Sequence, residues 1–215
     1  RDVAPSRGLG DVYKRQLGAF GTGVGCTDLL YGMVTGKSWV LVPETVKFNL
    51  VGKLPEGVYA RDLILTIIGT IGANGCNYQV MEFTGEGAKT LSISERMVLC
   101  NMAVEAGAKT GIFEPDEKAI EYLEAHGRKP KALFTSDPDA VYAREYTFDL
   151  SKIRPVVAKP DFVDNLVPAE EVRGVKIDEA FLGSCNNGRI EDLRVGASTV
   201  SYTHLRAHET ELHLV

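Results

Sequence analysis

Three residues of the sequence, Cys185, Asn101 and Glu105, are of types that can do chemistry where they occur. Cys185 stands in a glycine-bounded turn, and the pattern around it predicts that a buried strand over 177–183 ends there and that a helix begins near Arg189. Unbonded backbone N–H groups and the dipole at a helix N-terminus favour a thiolate over a thiol. We therefore expect Cys185 to be a metal ligand or a nucleophile.

Asn101 and Glu105 lie four residues apart on a second predicted helix, which Ser92 and Glu95 begin as a capping box and a glycine ends. The other side chains over 97–106 are apolar almost all the way round, which predicts a buried helix. A buried carboxylate is costly unless it is paired or bound to something. Two interpretations follow: a satisfied pair in the core, or two side chains on one helix face that serve an active site.

A glycine-dense segment over residues 18–25 runs into a helix predicted from about residue 27 to Gly36. Glycines before a helix can cradle a phosphate, so one hypothesis is a non-catalytic nucleotide-binding α/β module that uses this loop. The glycine spacing matches neither G-x-G-x-x-G nor a P-loop. Close backbone packing is the other explanation.

The elements that must position these residues alternate between strands and helices. Alternation of apolar and polar side chains predicts a strand over 45–51 with one buried face, and helical spacing of apolar residues predicts a helix over 60–71. The further predicted elements are strands over 39–42, 78–83, 146–150 and 154–157, a helix over 115–127 with Pro115 at its first position, and a short helix over 137–143. This order predicts an α/β fold.

Composition limits the classes of function. The chain has 215 residues and a net charge of -5, which argues against nucleic acid or an anionic membrane as a partner, and it has no apolar run that would span a bilayer. We expect a cytoplasmic protein. The four cysteines include no C-x-x-C, which argues against a zinc ribbon, and Cys26, Cys76 and Cys100 are expected to pack in the core.

The two ends of the sequence differ in character from the rest. Residues 1–16 and 198–215 resemble translated sequencing-adapter sequence, and we expect both to be non-native. The remainder is predicted to comprise an α/β region over 17–140 and, over 141–197, the start of a second α/β unit that carries Cys185.

Several runs of residues resemble one family. The run Gly183–Arg189 resembles the G-S-C-T-N-G-R segment of the aconitase superfamily, with Asn186 where the family usually has Thr. Residues 18–28, GAFGTGVGCTD, and 99–108, LCNMAVEAGA, match further family segments. The resemblance is greatest to the large subunits of 3-isopropylmalate dehydratases, and it implies three-layer α/β/α aconitase-like domains, incomplete in this chain.

The resemblance also implies roles for the three residues. Cys185 would be the first of three cysteine ligands to a [4Fe–4S] cluster, Glu105 would act on the substrate hydroxyl or water, and Asn101 would orient it. The substrate would be a small hydroxy-dicarboxylate, dehydrated and rehydrated by a hydro-lyase that isomerises 2-isopropylmalate to 3-isopropylmalate in leucine biosynthesis. Homoaconitase and dimethylmalate- or citraconate-type dehydratases share these motifs.

Other parts that the family uses are expected elsewhere. The resemblance implies that the catalytic base comes from a separate small subunit, and that the remaining cluster cysteines form a C-x-x-C after the first ligand. A family D-S-H-T motif precedes the glycine segment. The sequence contains neither motif, so we expect this stretch of chain alone to hold no stable cluster and to lack dehydratase activity.

Overall fold

The computed structural model describes residues 20–129 and 133–200. These residues fall into two compact units, which divide between Lys176 and Ile177.

The first unit alternates helices and strands. Its helices are α1 (Cys26–Thr35), α2 (Ala60–Ile71), α3 (Glu86–Thr90), α4 (Ile93–Met102) and α5 (Glu117–Ala125). Its strands are β1 (Thr45–Val51), β2 (Val80–Thr84), β3 (Thr110–Phe113), β4 (Arg144–Asp149), β5 (Val156–Ala158) and β6 (Leu166–Pro168). A 3₁₀ turn over Ala103–Ala106 follows α4 directly.

Four of these strands form a parallel sheet in the order β3-β2-β1-β4. In the register of the central strands, Thr45 pairs with Val80 and Val46 pairs with Arg144. Strands β5 and β6 form a separate antiparallel pair. Parallel neighbours require crossover connections, and α2, α4 and α5 lie in those connections. The predicted α/β class, with a parallel sheet flanked by helices, is confirmed.

The core lies between the helices and one face of this sheet. Val46, Phe48 and Leu50 of β1 are fully buried, whereas the residues between them are partly exposed, as the alternation in the sequence predicts. Helix α2 has the bounds that its apolar spacing predicts, and it buries Leu63, Ile64, Ile67 and Ile68 completely. Burial of this kind contributes about 1.5–3 kcal/mol for each large aliphatic side chain.

Two of the predicted strands are wrong. Residues 39–42 form no strand, and their apolar side chains face solvent; Trp39 is 79% exposed and Val42 is 86% exposed. Residues 177–183 in the second unit form no strand either, with Phe181 82% exposed. A strand requires a neighbour that satisfies its backbone groups, and among the described residues neither segment has one.

Two helix predictions also need correction. Pro115 precedes the N-cap of α5 and is not its first residue, because the Asp116 side chain accepts the Ala119 N–H and so fixes the start of the helix at Glu117. Residues 137–143 form a turn, not a helix.

The second unit contains a single helical turn, α6 (Ser184–Asn187), and helix α7 (Ile190–Val200). Helix α7 begins next to Arg189, as predicted, and Glu191 and Asp192 lie in its first turn. Their negative charges favour that position because the N-terminus of a helix carries partial positive charge.

Several expectations about the ends and domains stay predictions. Residues 1–16 and 201–215 lie outside the described residues, and 198–200 belong to α7. The predicted domain boundary between residues 140 and 141 also stays a prediction, although β4 joins the same sheet as β1. No described helix is long and apolar enough to cross a membrane.

All four cysteines are reduced, but they differ in burial. Cys76 and Cys100 are completely buried, as predicted for cysteines that pack in the core. Cys26 is exposed, so the same prediction for Cys26 is wrong. It lies in the first turn of α1, a helix that buries none of its residues.

Candidate active site

The helix that carries Asn101 begins where the sequence predicts. Ser92 Oγ accepts the Glu95 N–H at 3.2 Å, and the Ser92 N–H donates to Glu95 Oε2 at 2.7 Å, which is the predicted capping box. Asn101 is the second-last residue of α4 and is buried, with only 8% of it exposed. A polar side chain at this depth indicates a specific role in packing or binding.

Glu105 lies in the 3₁₀ turn and is half-buried. The sequence predicts one continuous α-helix up to Gly107, but the α-helix ends at Met102. Each residue of a 3₁₀ helix turns through about 120°, against about 100° in an α-helix. Asn101 and Glu105 are therefore not on one continuous α-helix, and the shared i, i+4 face predicted for them is interrupted. The two residues still lie in successive helical turns.

The turn that holds Glu105 is fixed by hydrogen bonds from a second segment, 74–79. The Cys76 N–H donates to Ala106 O and the Tyr78 N–H donates to Gly107 O, both at 2.9 Å. The sequence does not predict this contact, because no local pattern specifies a contact across thirty residues. This neighbourhood lies at the amino edge of the parallel sheet, just before β2 and β3 begin.

A cavity of about 370 Å³ lies at the opposite, carboxyl edge of the sheet. Its walls include Thr84 at the end of β2, Glu114 after β3 and the N-terminal residues of α5. Ligands of open α/β sheets usually bind at this edge. Asn101 and Glu105 are not among the residues that line this cavity. The predicted catalytic residues and the cavity therefore lie at opposite edges of the sheet.

An ion pair that the sequence reasoning missed lies in the cavity wall. The Arg96 guanidinium, 1% exposed, donates from Nη1 to Asp116 Oδ1 at 2.8 Å and from Nη2 to Asp116 Oδ2 at 2.5 Å. Burial alone would raise the pKa of Asp116, but the hydrogen bonds and charge of Arg96 outweigh burial and lower it. The signal in the sequence is a charged residue, Arg96, directly before the apolar run over 97–106 of a helix that is predicted to be buried.

Cys185 lies in the second unit, in the helical turn α6, and is partly exposed. Ser184 before it adopts φ +70°, a left-handed conformation that is uncommon outside glycine. Arg189 Nη1 donates to Asn186 O at 2.8 Å within the GSCNNGR run. The Arg189 N–H donates to Asp192 Oδ2 and Asn187 Nδ2 donates to Asp192 Oδ1, both at 3.1 Å, so the Asp192 carboxylate binds the turn to α7. The predicted tight turn before a helix is confirmed.

The glycine segment is described from residue 20 onwards. Thr22 Oγ1 donates to Lys109 O at 3.0 Å, and Gly25 is the N-cap of α1. A Cβ added at Gly23 would meet no atom within 4 Å, so packing within the described residues does not require glycine at that position.

The chain belongs to the aconitase family, described as aconitate hydratase, whose model matches residues 14–174. The resemblance inferred from the motifs is therefore confirmed. Similar proteins include the 3-isopropylmalate dehydratase large subunit of Heliobacterium modesticaldum, which is 53% identical over 181 residues, 84% of this chain and 43% of the relative.

Two further relatives have the same kind of name. The 3-isopropylmalate dehydratase large subunit 1 of Methanopyrus kandleri is 50% identical over 184 residues, 86% of this chain and 44% of its own length. The large subunit of Hydrogenobaculum sp. is 52% identical over 182 residues, 85% of this chain and 43% of its own length. The chain thus spans less than half the length of these relatives.

Proposed function

We propose that the chain is a segment of the large subunit of a hydro-lyase that isomerises 2-isopropylmalate to 3-isopropylmalate, a step of leucine biosynthesis. The observation that carries this proposal is an identity of 50–53% to three large subunits of that name over 181–184 residues. Aconitase-family membership supports the reaction class, which is loss and addition of water at a hydroxy acid.

Glu105 is proposed as the residue that moves a proton at the substrate hydroxyl or at water. Its half-buried position leaves the carboxylate accessible while it limits solvation, and an acid or base positioned in this way typically contributes a factor of about 10²–10⁴ to the rate. Asn101, buried one turn earlier, is proposed to orient the group on which Glu105 acts. An amide suits that role because it offers both donors and an acceptor and carries no charge.

Cys185 is proposed as one ligand of a [4Fe–4S] cluster. The fit is partial: Cys185 is reduced and partly exposed on a tight turn, but the described residues include no group of three or more His, Cys, Asp or Glu that could hold a metal ion. Two further thiolates would have to come from beyond the described residues. A cluster bound through three cysteines supplies a Lewis-acidic iron with an open position.

The relatives' name, large subunit, supports a small subunit as partner. We propose that this partner supplies the catalytic base for the carbon-bound proton, since the family resemblance assigns that base to a separate subunit. The substrate is then a small hydroxy-dicarboxylate that contacts both subunits.

The proposal is tested in a full-length large subunit, because the chain covers less than half of one. In the Heliobacterium modesticaldum large subunit, we replace the segment that aligns with residues 17–197 by residues 17–197 of this chain. The chimera is purified anaerobically together with the Heliobacterium small subunit. Conversion of 2-isopropylmalate, homocitrate and dimethylmalate is measured beside the unaltered relative. We expect 2-isopropylmalate to be preferred.

Paired cysteine variants test the cluster assignment in the same chimera. Cys185→Ser should remove the visible absorption of the cluster and the activity, whereas Cys26→Ser, at an exposed cysteine of α1, should retain both. A folded, cluster-bearing chimera that prefers homocitrate or dimethylmalate would overturn the assigned substrate. A Cys185→Ser variant with an intact cluster would overturn the ligand role.

A further inference from the structure

Three segments that are distant in sequence meet beside the turn that carries Glu105. The Thr22 hydroxyl from the glycine segment donates to Lys109 O, and the Lys109 N–H donates to Gln79 O at 2.8 Å. Tyr78, next to Gln79, donates its N–H to Gly107 O. These bonds connect the glycine segment, the 74–79 turn and the Glu105 turn at one edge of the sheet.

Tyr78 has a strained backbone in this arrangement. Its φ is +59°, which for a residue with a Cβ costs roughly 1–2 kcal/mol. The ring is only partly buried, since Tyr78 is 39% exposed and lies outside the hydrophobic core. Strain of this kind in an ordered turn, at an edge where candidate catalytic residues lie, points to a functional constraint on the ring.

The Lys109 side chain contacts the Tyr78 ring. Its ammonium nitrogen lies 5.3 Å from the centroid of the Tyr78 ring, within the range of a cation–π contact. Among the residues that the structure describes, no carboxylate forms an ion pair with Lys109. A positive charge is therefore held over an exposed aromatic ring, four residues after Glu105.

We propose that Lys109 and Tyr78 form a substrate-binding subsite next to Glu105, in which the ammonium binds a carboxylate and the ring contacts the hydrocarbon part of the same molecule. The inference deepens the proposed function and rests on it, since a hydroxy-dicarboxylate with an apolar branch offers both groups. An ammonium and a carboxylate form a charge-assisted hydrogen bond, and a half-exposed aromatic ring provides a flat apolar contact. Lys109 thus determines affinity and specificity and does not itself transfer a proton.

The test is made in the chimera with its small subunit, with Lys109→Met as the principal variant. Methionine keeps an unbranched side chain and removes the charge. We expect KM for 2-isopropylmalate to rise roughly 10- to 100-fold while kcat changes only a few-fold, because the lost contact is equal in the ground and transition states. Lys109→Arg should restore most of the affinity, and Lys53→Met, at an exposed lysine elsewhere, should change neither constant.

A second variant tests the ring independently. Tyr78→Asn keeps a residue type that tolerates φ +59° but removes the aromatic contact, so KM should rise while the fold is retained. Unchanged KM in folded, active Lys109→Met and Tyr78→Asn chimeras would overturn this inference alone. A parent chimera that converts no 2-isopropylmalate would instead contradict the proposed function.

Discussion

Asp116 serves two partners at once: its carboxylate binds the buried Arg96 guanidinium and also caps helix α5 by accepting the Ala119 N–H at 3.2 Å. The two helices α4 and α5 are joined through this one side chain. Arg96 also lies over the Phe113 ring, 5.5 Å from its centroid, at the end of β3. The Asp116 carboxylate therefore holds α4, the helix that carries Asn101, in place beside α5. Through Arg96 it also holds α4 beside the end of β3.

Removal of that carboxylate should be costly. Asp116→Asn leaves the Arg96 charge buried without a counter-ion, and loss of one partner of a buried ion pair typically costs about 3–5 kcal/mol. The free energy of unfolding, measured by urea denaturation at pH 7, should fall by about that amount. Asp149→Asn is the matched control, because its partner Lys152 has an 81% exposed side chain and an exposed ion pair contributes little to stability.

Acid should reduce the difference between the wild-type chain and Asp116→Asn. The pKa of Asp116 is lowered from 3.8 in the folded chain, so its contribution to stability is present above that value and is lost as the pH falls through the lower, folded pKa. Urea unfolding of both proteins at pH 7 and pH 3 measures this. An unchanged difference at the two pH values would show that the pKa of Asp116 is the same in the folded and unfolded chains, and so would contradict the lowered pKa.

Alkali should weaken the core through Cys76. Burial raises the pKa of this thiol to about 11 from 9.0, against a smaller lowering effect of Arg144, so its folded neutral form stays favoured. Ionisation of Cys76 should leave the free energy of unfolding unchanged below about pH 9. Between pH 9 and 11 the free energy of unfolding should fall by about 1.4 kcal/mol for each pH unit. Cys76→Ala should lose stability at neutral pH but should lack this additional alkaline decrease.

Gly107 is expected to be needed for more than its backbone conformation. Gly107 and Gly57 have nearly the same φ, +77° and +78°, but a Cβ at Gly107 would lie 3.2 Å from the Asn77 Cα, whereas one at Gly57 would meet nothing within 4 Å. Gly57→Ala should cost about 1 kcal/mol in unfolding free energy, from strain alone. Gly107→Ala should cost more and, in the chimera, should lower kcat because it displaces the Glu105 turn.

Glu105→Gln tests the proposed proton transfer directly. In the chimera kcat should fall by roughly 10²–10⁴-fold while the cluster absorption is retained, because glutamine keeps the shape but cannot accept or release a proton. Glu121→Gln, at an exposed position of α5, serves as the control and should leave kcat unchanged. Full activity of Glu105→Gln would exclude the carboxylate from the chemistry.

Local patterns in the sequence predict the elements that need only local information. The apolar–polar alternation of β1, the apolar spacing of α2 and the capping box of Ser92 and Glu95 all have their predicted outcome, since each depends on residues within one turn or one strand. The strand predicted over 39–42 is wrong because apolar β-branched residues describe a strand only when another strand is available to pair with it.

The candidate site could be predicted only in part for a similar reason. Residue type and motif identify Asn101, Glu105 and Cys185 as candidate site residues, and the roles of these residues stay predictions. The contacts beside the Glu105 turn, such as that of Tyr78 with Lys109, depend on segments that the fold brings together from thirty or more residues apart. The left-handed conformation of Tyr78 has no signature in its own residue type.

The central position of β1 has a consequence for the order in which the chain can fold. Its neighbour β2 follows after one helix, but its other neighbour β4 is synthesised roughly 90 residues later. Until β4 emerges from the ribosome, one edge of β1 lacks its hydrogen-bond partners, and pairing across such a separation slows folding. The nascent chain therefore passes through a stage with an open strand edge, where protection by a chaperone would matter most.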